Sequence, residues 1–142
     1  MGQLSGDALG SLVEFQSPDE IRRRYPKGLR ELTDGGTWNT IAGQPTDDSE
    51  MALLLARMLI ERGTYDSNAA FESYRFWIDS NPFDCGMTTS AALRRYPNEA
   101  SPANGAMMRI SPLRIFGAHY PLDIVAEWAM QDATLTHPNP VP

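Results

Sequence analysis

The stretch TDDSEMALLLARMLIERG, residues 46–63, decides the fold class of this chain. Its apolar residues recur at intervals of three and four, which is the spacing of one face of an α-helix. Thr46 is a typical N-cap and Gly63 is a typical residue just beyond a helix, so we predict a helix that ends at about Arg62. Because Leu53 and Ile60 make the opposite side apolar too, we expect this helix to be buried nearly all round, in the centre of a bundle.

The segments on either side show the same periodicity, and convincing two-residue alternation is missing. We therefore predict an all-α fold, a compact multi-helix bundle around the central helix. Four further helices are expected over residues 2–15, 18–25, 67–79 and 121–133. Between the last two, we expect a short helix capped by Thr88 or Thr89 and a turn at Ser111-Pro112.

Composition excludes several classes of protein. The 142 residues include 18 Asp and Glu against 12 Lys and Arg, a net charge of -6, whereas a surface that binds nucleic acid through phosphates is basic. The longest apolar run, residues 51–56, is far shorter than the roughly 20 residues of a membrane helix, and no signal-peptide pattern opens the chain. We therefore expect a soluble, cytoplasmic protein with no nucleic-acid or membrane partner.

Thr46, Asp47 and Asp48 place one hydroxyl and two carboxylates at the start of the central helix. One interpretation is an N-cap followed by acidic residues that the helix dipole favours. The other is a cation site, because adjacent carboxylates beside an apolar helix repel each other unless a cation compensates them. Oxygen ligands suit Mg²⁺, Mn²⁺ or Ca²⁺, although three ligands are too few for an octahedral ion. One cysteine and two histidines leave no set with zinc spacing.

Other polar residues carry weaker signals. Asp7 and Glu14 are seven residues apart, which puts them on one face of the predicted first helix, either as functional or as solvated acids. The turn at Asn104-Gly105 exposes backbone amides that can cradle a phosphate. Arg109 is interpreted as a phosphate partner or as a snorkelling side chain. His137, which precedes a proline, is either a hydrogen-bonded structural residue or a functional one.

Taken together and in order, five short segments resemble the ADP-ribosylglycohydrolase family. They are GDALG with VEF (residues 6–10 and 13–15), PTDDSEM (45–51), PFDCG (82–86), NGAMMR (104–109) and LTHP (135–138). Each segment alone is a weak signal. Five in the family's order and at its approximate spacing are a strong combination, and they run through almost the whole chain.

The resemblance implies an all-α metal-dependent hydrolase that cleaves the glycosidic bond between ADP-ribose and a modified protein side chain. It implies two Mg²⁺ or Mn²⁺ ions, with Thr46, Asp47 and Asp48 as ligands. A carboxylate among Asp47, Asp48 and Glu14 would activate or orient the attacking water. The residues implied in binding ADP-ribose or an ADP-ribosylated protein are Asp84, Gly86, Asn104, Gly105, Met108 and His137.

One departure from the family pattern limits these expectations. The family completes its two-metal site with an Asp-x-Asp-Thr/Ser segment in its C-terminal half, and residues 1–142 contain none. We therefore expect this chain to be the N-terminal portion of the family domain, as the helix-start signal at Asn139-Pro140 also suggests. Three functions stay open: a hydrolase, a non-catalytic ADP-ribose-binding or regulatory module, and a fragment whose apolar surface is covered by self-association or a partner chain.

Overall fold

The computed structural model describes residues 1–140, which contain seven α-helices. The helices are α1 (Gly2–Gly10), α2 (Pro18–Arg24), α3 (Asp47–Arg62), α4 (Ser67–Asp79), α5 (Met87–Leu93), α6 (Ser111–Phe116) and α7 (Leu122–Thr134). Short 3-10 helices lie at Gly105–Arg109 and Gly117–His119. The only strand-like pairing within residues 1–140 is one bridge between Gly35 and Thr40, so the predicted all-α fold is confirmed. None of the helices described is long and apolar enough to cross a membrane.

The chain divides into two compact units, residues 1–49 and the residues from Glu50 onward, and α3 contributes to both. In the first unit, α2 begins with a capping box formed by Ser17 and Glu20. The Ser17 hydroxyl accepts a hydrogen bond from the Glu20 backbone N–H, and the Glu20 carboxylate accepts one from the Ser17 backbone N–H. Both bonds satisfy donors that the first turn of a helix leaves without partners.

Helix α1 is shorter than predicted, because it ends at Gly10 and not near residue 15. Phe15 adopts a left-handed conformation with φ 59°, which does not continue a right-handed helix. Bonds from distant residues hold the chain there: Thr37 Oγ1 donates to the Glu14 carbonyl at 2.5 Å, and Trp38 Nε1 donates to the Glu14 carboxylate at 2.7 Å. These tertiary bonds outweigh the helical periodicity.

The long loop between α2 and α3 packs closely on the turn after α1 at Gly36. Gly36 has φ +75°, and a Cβ added to it would lie 2.7 Å from the Leu12 Cα. Both the conformation and the space therefore require glycine at this position. Leu12 is itself buried in this unit.

In the second unit, α3 packs with the later helices around one apolar core. The most buried core residues are Met51, Leu55, Met58, Leu59, Tyr65, Ala70, Tyr74, Trp77, Ile78, Leu93 and Leu113. The other face of α3 is open, since Leu53 is 50% exposed and Ile60 is 77% exposed. The prediction that α3 is buried nearly all round is wrong for these positions, because periodicity identifies apolar faces without showing which of them a neighbour covers.

Helices α4 and α7 lie within one residue of their predicted bounds, whereas two details between them differ from prediction. Helix α5 has Gly86 as its N-cap, while Thr88 bonds to Ser101 through its hydroxyl (2.8 Å) and Thr89 is buried. Pro112 lies inside the first turn of α6 and does not form a separate turn. A proline is tolerated in that place because the first-turn N–H groups have no helical acceptor.

Candidate functional site

An acidic pocket of about 290 Å³ lies in the first unit. It is formed by α1, the turn that follows it and the start of α3. Its lining residues are Gly6, Asp7, Gly10, Ser11, Glu14, Thr46 and Asp48. Three of these side chains are carboxylates and none is a cation, so the pocket has a strongly negative character. A Cβ atom added to Gly6 or Gly10 would have no neighbouring atom within 4 Å. The space around these two positions therefore does not require glycine.

Asp7 holds the start of α3. Its Oδ1 accepts a hydrogen bond from the Thr46 hydroxyl at 2.6 Å, and its Oδ2 accepts one from the Thr46 backbone N–H at 3.0 Å. Gln3 adds a third bond from α1, because its Nε2 donates to the Asp48 carbonyl at 2.9 Å. Sequence reasoning weighed Asp7 only as an acid on a helix face and missed this role, which depends on a residue 39 positions away.

Glu14 is held at the rim of the same pocket by an indole. Trp38 donates its Nε1–H to Glu14 Oε2 at 2.7 Å, and the Phe15 ring meets the Trp38 ring edge to face at a centroid distance of 6.1 Å. A carboxylate held in this way keeps one orientation. The sequence predicted Asp7 and Glu14 on one helical face; both line the pocket, although Glu14 lies beyond the end of α1.

The carboxylates of this unit influence one another electrostatically. Asp47 is buried and accepts a hydrogen bond at Oδ1 from the Asp48 backbone N–H at 3.1 Å. Asp48 is half-buried. Its burial, reinforced by the negative charges of Asp47, Asp7 and Glu14, raises the pKa of Asp48 from 3.8 to about 6. The ionised form of Asp48 is therefore disfavoured unless a positive charge compensates it.

The donor chemistry of Thr46, Asp47 and Asp48 fits a hard divalent cation. The three side chains offer oxygen donors only, and the excess negative charge around Asp48 is what a cation neutralises. They do not form a complete shell, since no group of three Asp, Glu, His or Cys side chains converges as a metal cluster within residues 1–140. The three residues thus have the donor chemistry for only part of a coordination sphere, and Asp7 orients the Thr46 hydroxyl.

The second unit contains a fully buried ion pair. Arg109 Nε donates to Asp132 Oδ2 at 2.8 Å, and both side chains have no exposed surface. Arg109 NH2 also donates to the Asp132 carbonyl at 2.7 Å, and the guanidinium lies over the Tyr74 ring at 4.7 Å. Arg109 is therefore neither a snorkelling side chain nor a phosphate partner, and both interpretations of it from sequence are wrong.

Sequence reasoning missed Asp132. Besides the two bonds from Arg109, its Oδ1 accepts a hydrogen bond from the Tyr74 hydroxyl at 2.8 Å, and the Tyr65 hydroxyl lies 3.5 Å away. One signal was available, because Asp132 is seven residues after the buried Val125 and so belongs to the buried face of α7. An acid in such a position requires a partner.

His137 lies at the end of this network. Its Nδ1 is 2.8 Å from the Thr136 hydroxyl oxygen, which also receives a hydrogen bond from Arg109 NH1 at 2.9 Å. Burial, and then the charge of Arg109, lower the pKa of His137 below its ordinary value. The ring packs against Gly105, where a Cβ would lie 3.2 Å from Nε2. The structure thus brings together two of the residues implied in binding ADP-ribose, Gly105 and His137.

The other four predicted binding residues belong to the second unit and differ in burial. Asn104 is exposed and precedes the 3-10 helix, whereas Met108 is half-buried and packs against the core. Asp84 is half-buried, and Gly86 is the exposed N-cap of α5. Their roles in binding stay predictions.

Comparison with known proteins identifies the family. The sequence model that describes the ADP-ribosylglycohydrolase family matches residues 1–141 of this chain. ADP-ribosyl-(dinitrogen reductase) glycohydrolase from Rhodospirillum rubrum is 36% identical over 151 residues, which cover 99% of this chain and 50% of that protein. An ADP-ribosylarginine hydrolase from Pseudomonas putida is 28% identical over 156 residues, which cover 96% of this chain and 40% of that protein.

A solved structure agrees with these sequence relatives. The structure, described as an ADP-ribosylglycohydrolase-related protein complex, has a TM-score of 0.75 and 31% sequence identity, and the match covers 96% of this chain and 46% of that one. The chain spans about half the length of the curated relatives it matches. The resemblance found in the five segments is confirmed: this chain belongs to the ADP-ribosylglycohydrolase family.

Proposed function

We propose that this protein hydrolyses the glycosidic bond between ADP-ribose and a protein side chain. The observation that carries the proposal is the acidic pocket, which Asp7, Glu14 and Asp48 line together with Thr46. Relatives named for glycohydrolase activity on dinitrogen reductase and on ADP-ribosylarginine support the reaction class. They favour ADP-ribosylated arginine as the first substrate to test.

We assign Thr46, Asp47 and Asp48 as ligands of Mg²⁺ or Mn²⁺, within the two-ion site that the family resemblance implies. Such a cation, when bound, supplies Lewis-acid assistance and orients the ribose hydroxyls. Asp7 is a positioning residue in this assignment, because it fixes both the hydroxyl and the backbone N–H of Thr46. Since the three ligands do not complete a shell, waters and further oxygen donors fill the remaining positions.

The carboxylates of the pocket handle the proton in this proposal. The attacking water gives its proton to a carboxylate while its oxygen bonds to the anomeric carbon of the ribose. The bond from that carbon to the side-chain nitrogen breaks, and the leaving nitrogen takes up the proton that the carboxylate received from the water, which regenerates the carboxylate. Glu14 is suited to accept the proton because Trp38 fixes its orientation. Asp48 and its neighbour Asp47 are the alternative bases.

The ADP-ribose portion is proposed to bind in the second unit. Backbone amides near the 3-10 helix would meet the diphosphate, and His137 beside Gly105 would contact the ligand. The residues proposed for this binding are Asp84, Gly86, Asn104, Gly105, Met108 and His137.

The test is release of ADP-ribose from an ADP-ribosylated arginine peptide, measured by liquid chromatography with Mg²⁺, with Mn²⁺ and with EDTA. We expect metal-dependent release that falls by roughly 100-fold or more in Glu14→Gln or Asp48→Asn. Glu31→Gln, an exposed acid of the loop, is the matched control and leaves the rate unchanged. Absence of release under all three conditions, from a folded protein, overturns the proposal. Binding of ADP-ribose without release supports the non-catalytic binding module instead.

The open face of α3 favours a second candidate, a protein completed by another polypeptide. Leu53 and Ile60 on α3 and Phe76 on α4 are 50%, 77% and 76% exposed. Leu53 and Phe76 line one surface pocket, and large apolar side chains grouped in this way are typical of an interface. We propose self-association or a partner chain as the cover, and light scattering after size-exclusion chromatography tests the first of these. A monomer at all concentrations excludes self-association.

A further inference from the structure

We propose that Arg109 and Asp132 are positioning residues that hold the His137 ring in a single tautomer, with its proton on Nε2. The tautomer follows from hydrogen bonds within the second unit alone. The ligand that the Nε2–H meets rests on the proposed function, which this inference deepens.

The first step is the rigidity of the buried pair. Asp132 accepts a hydrogen bond from Arg109 Nε at Oδ2 and another from Arg109 NH2 at its carbonyl oxygen. Neither side chain has exposed surface. Tyr74 closes the network from two sides, because its hydroxyl donates to Asp132 Oδ1 and its ring lies against the guanidinium. The guanidinium therefore has one orientation, with NH1 directed at Thr136.

The second step concerns the Thr136 hydroxyl. A guanidinium carries donors only, so the Thr136 oxygen must be the acceptor of the 2.9 Å bond from Arg109 NH1. The hydroxyl proton is then directed away from the cation, and His137 Nδ1 lies 2.8 Å from the oxygen. The oxygen has a second lone pair that could accept from a protonated Nδ1, but the hydroxyl proton of this fully buried residue would then have no acceptor, since Nδ1 is its one candidate within residues 1–140. Nδ1 thus receives the hydroxyl proton as an acceptor. A neutral imidazole with an acceptor at Nδ1 carries its one proton on Nε2.

The His137 ring stays neutral in this network. Burial and the positive charge of Arg109 both lower the pKa of His137. Asp132 faces the network as well, but its carboxylate is engaged by Arg109 and Tyr74. The Arg109 charge therefore has two effects on His137: it disfavours the imidazolium and it orients the hydroxyl that selects the tautomer.

The Nε2–H donor of His137 lies beside Gly105. The Nε2 edge of the ring lies against Gly105, where a Cβ would come within 3.2 Å. No side chain of residues 1–140 accepts a hydrogen bond from Nε2, so the donor remains available beside Asn104-Gly105. A neutral donor of this kind suits an acceptor oxygen of ADP-ribose, either of the diphosphate or of a ribose hydroxyl.

The test is long-range ¹H–¹⁵N spectroscopy of the histidine-labelled protein above pH 7. A His119→Gln variant assigns the His137 signals, since these are the two histidines of the chain. We expect an unprotonated Nδ1 and a protonated Nε2. Thr136→Val, which removes the hydroxyl but keeps the side-chain shape, should let the second tautomer appear, whereas Thr136→Ser should keep the first. A protonated Nδ1 in the unmodified protein, or an unchanged spectrum in a folded Thr136→Val, overturns the inference.

A binding measurement separates this inference from the proposed function. We expect Thr136→Val to weaken ADP-ribose binding by roughly three- to tenfold in calorimetry and Thr136→Ser to leave it nearly unchanged. If Thr136→Val does not fold, the spectrum of the unmodified protein still decides the tautomer. If the spectrum shows the expected tautomer and the unmodified protein binds no ADP-ribose, the positioning network stands and the proposed function fails.

Discussion

Removing one charge from the buried pair in the second unit should destabilise this protein more than any surface change. Asp132→Asn keeps the size of the side chain but leaves the Arg109 guanidinium without its counter-charge in a place with no exposed surface. Breaking a buried ion pair in this way costs about 3–5 kcal/mol, because an uncompensated charge remains out of water. The total stability of a domain is typically about 5–15 kcal/mol, so the loss is a large share of it.

The assay is urea unfolding followed by far-ultraviolet circular dichroism, with the free energy of unfolding obtained by linear extrapolation. Glu127→Gln on the exposed face of α7 is the matched control, and it should change the free energy by less than about 0.5 kcal/mol. The double variant Arg109→Met with Asp132→Asn should recover part of the loss, since it also removes the stranded charge. A loss below about 1 kcal/mol for Asp132→Asn, at an unchanged denaturant slope, would refute this account of the pair.

Three further predictions concern other parts of the chain. The pKa of His137 is below its ordinary value of 6.5, so as the pH falls the unfolded chain takes up this proton before the folded one. The free energy of unfolding should therefore fall as the pH drops below 6.5, with a smaller slope in His137→Gln. Gly36→Ala should lower the free energy of unfolding in urea titrations by about 1–3 kcal/mol more than Gly35→Ala does. Both glycines have a positive φ, but only at Gly36 would a Cβ lie as close as 2.7 Å to the Cα of another residue, Leu12. Asp48→Asn should raise the free energy of unfolding measured in EDTA, because it removes the repulsion between Asp48 and the neighbouring carboxylates; the gain is about 1 kcal/mol after allowance for solvent screening of this half-buried group. The same variant should abolish stabilisation by Mg²⁺ in urea titrations. A lower stability of the variant in EDTA would contradict the repulsion described in the pocket.

The helices that local signals determine could be predicted closely. Helix α3 has an apolar period, a threonine before its first residue and Gly63 after its last, and these signals act within a few residues. Helix α4 has an apolar period and Asp66 as its N-cap, and its observed bounds match the predicted ones residue for residue. Where a distant residue decides the backbone, local patterns fail. Beyond the end of α1 at Gly10, the turn at Glu14 is held by bonds from Thr37 and Trp38, which no periodicity contains.

The same distinction applies to the candidate site. Thr46, Asp47 and Asp48 could be singled out because they are adjacent in sequence and carry a visible excess of charge. The partner that orients Thr46 could not, since Asp7 is 39 residues earlier. The pairing of Arg109 with Asp132 spans 23 residues, and nothing in the sequence near Arg109 indicates a carboxylate partner. The family resemblance predicts a binding role for His137, but it does not reveal the buried network behind the ring.

We propose that the acidic pocket holds a divalent cation that takes part in the binding and hydrolysis of the ADP-ribose group, and calorimetric titration tests this proposal most directly. Mg²⁺ and Mn²⁺ are titrated into the unmodified protein and into the double variant Asp47→Asn with Asp48→Asn, and ADP-ribose is then added to each. The account predicts cation binding and metal-dependent ADP-ribose binding by the unmodified protein and neither by the double variant. Absence of both from the unmodified protein, or equal binding by the two proteins, would contradict it.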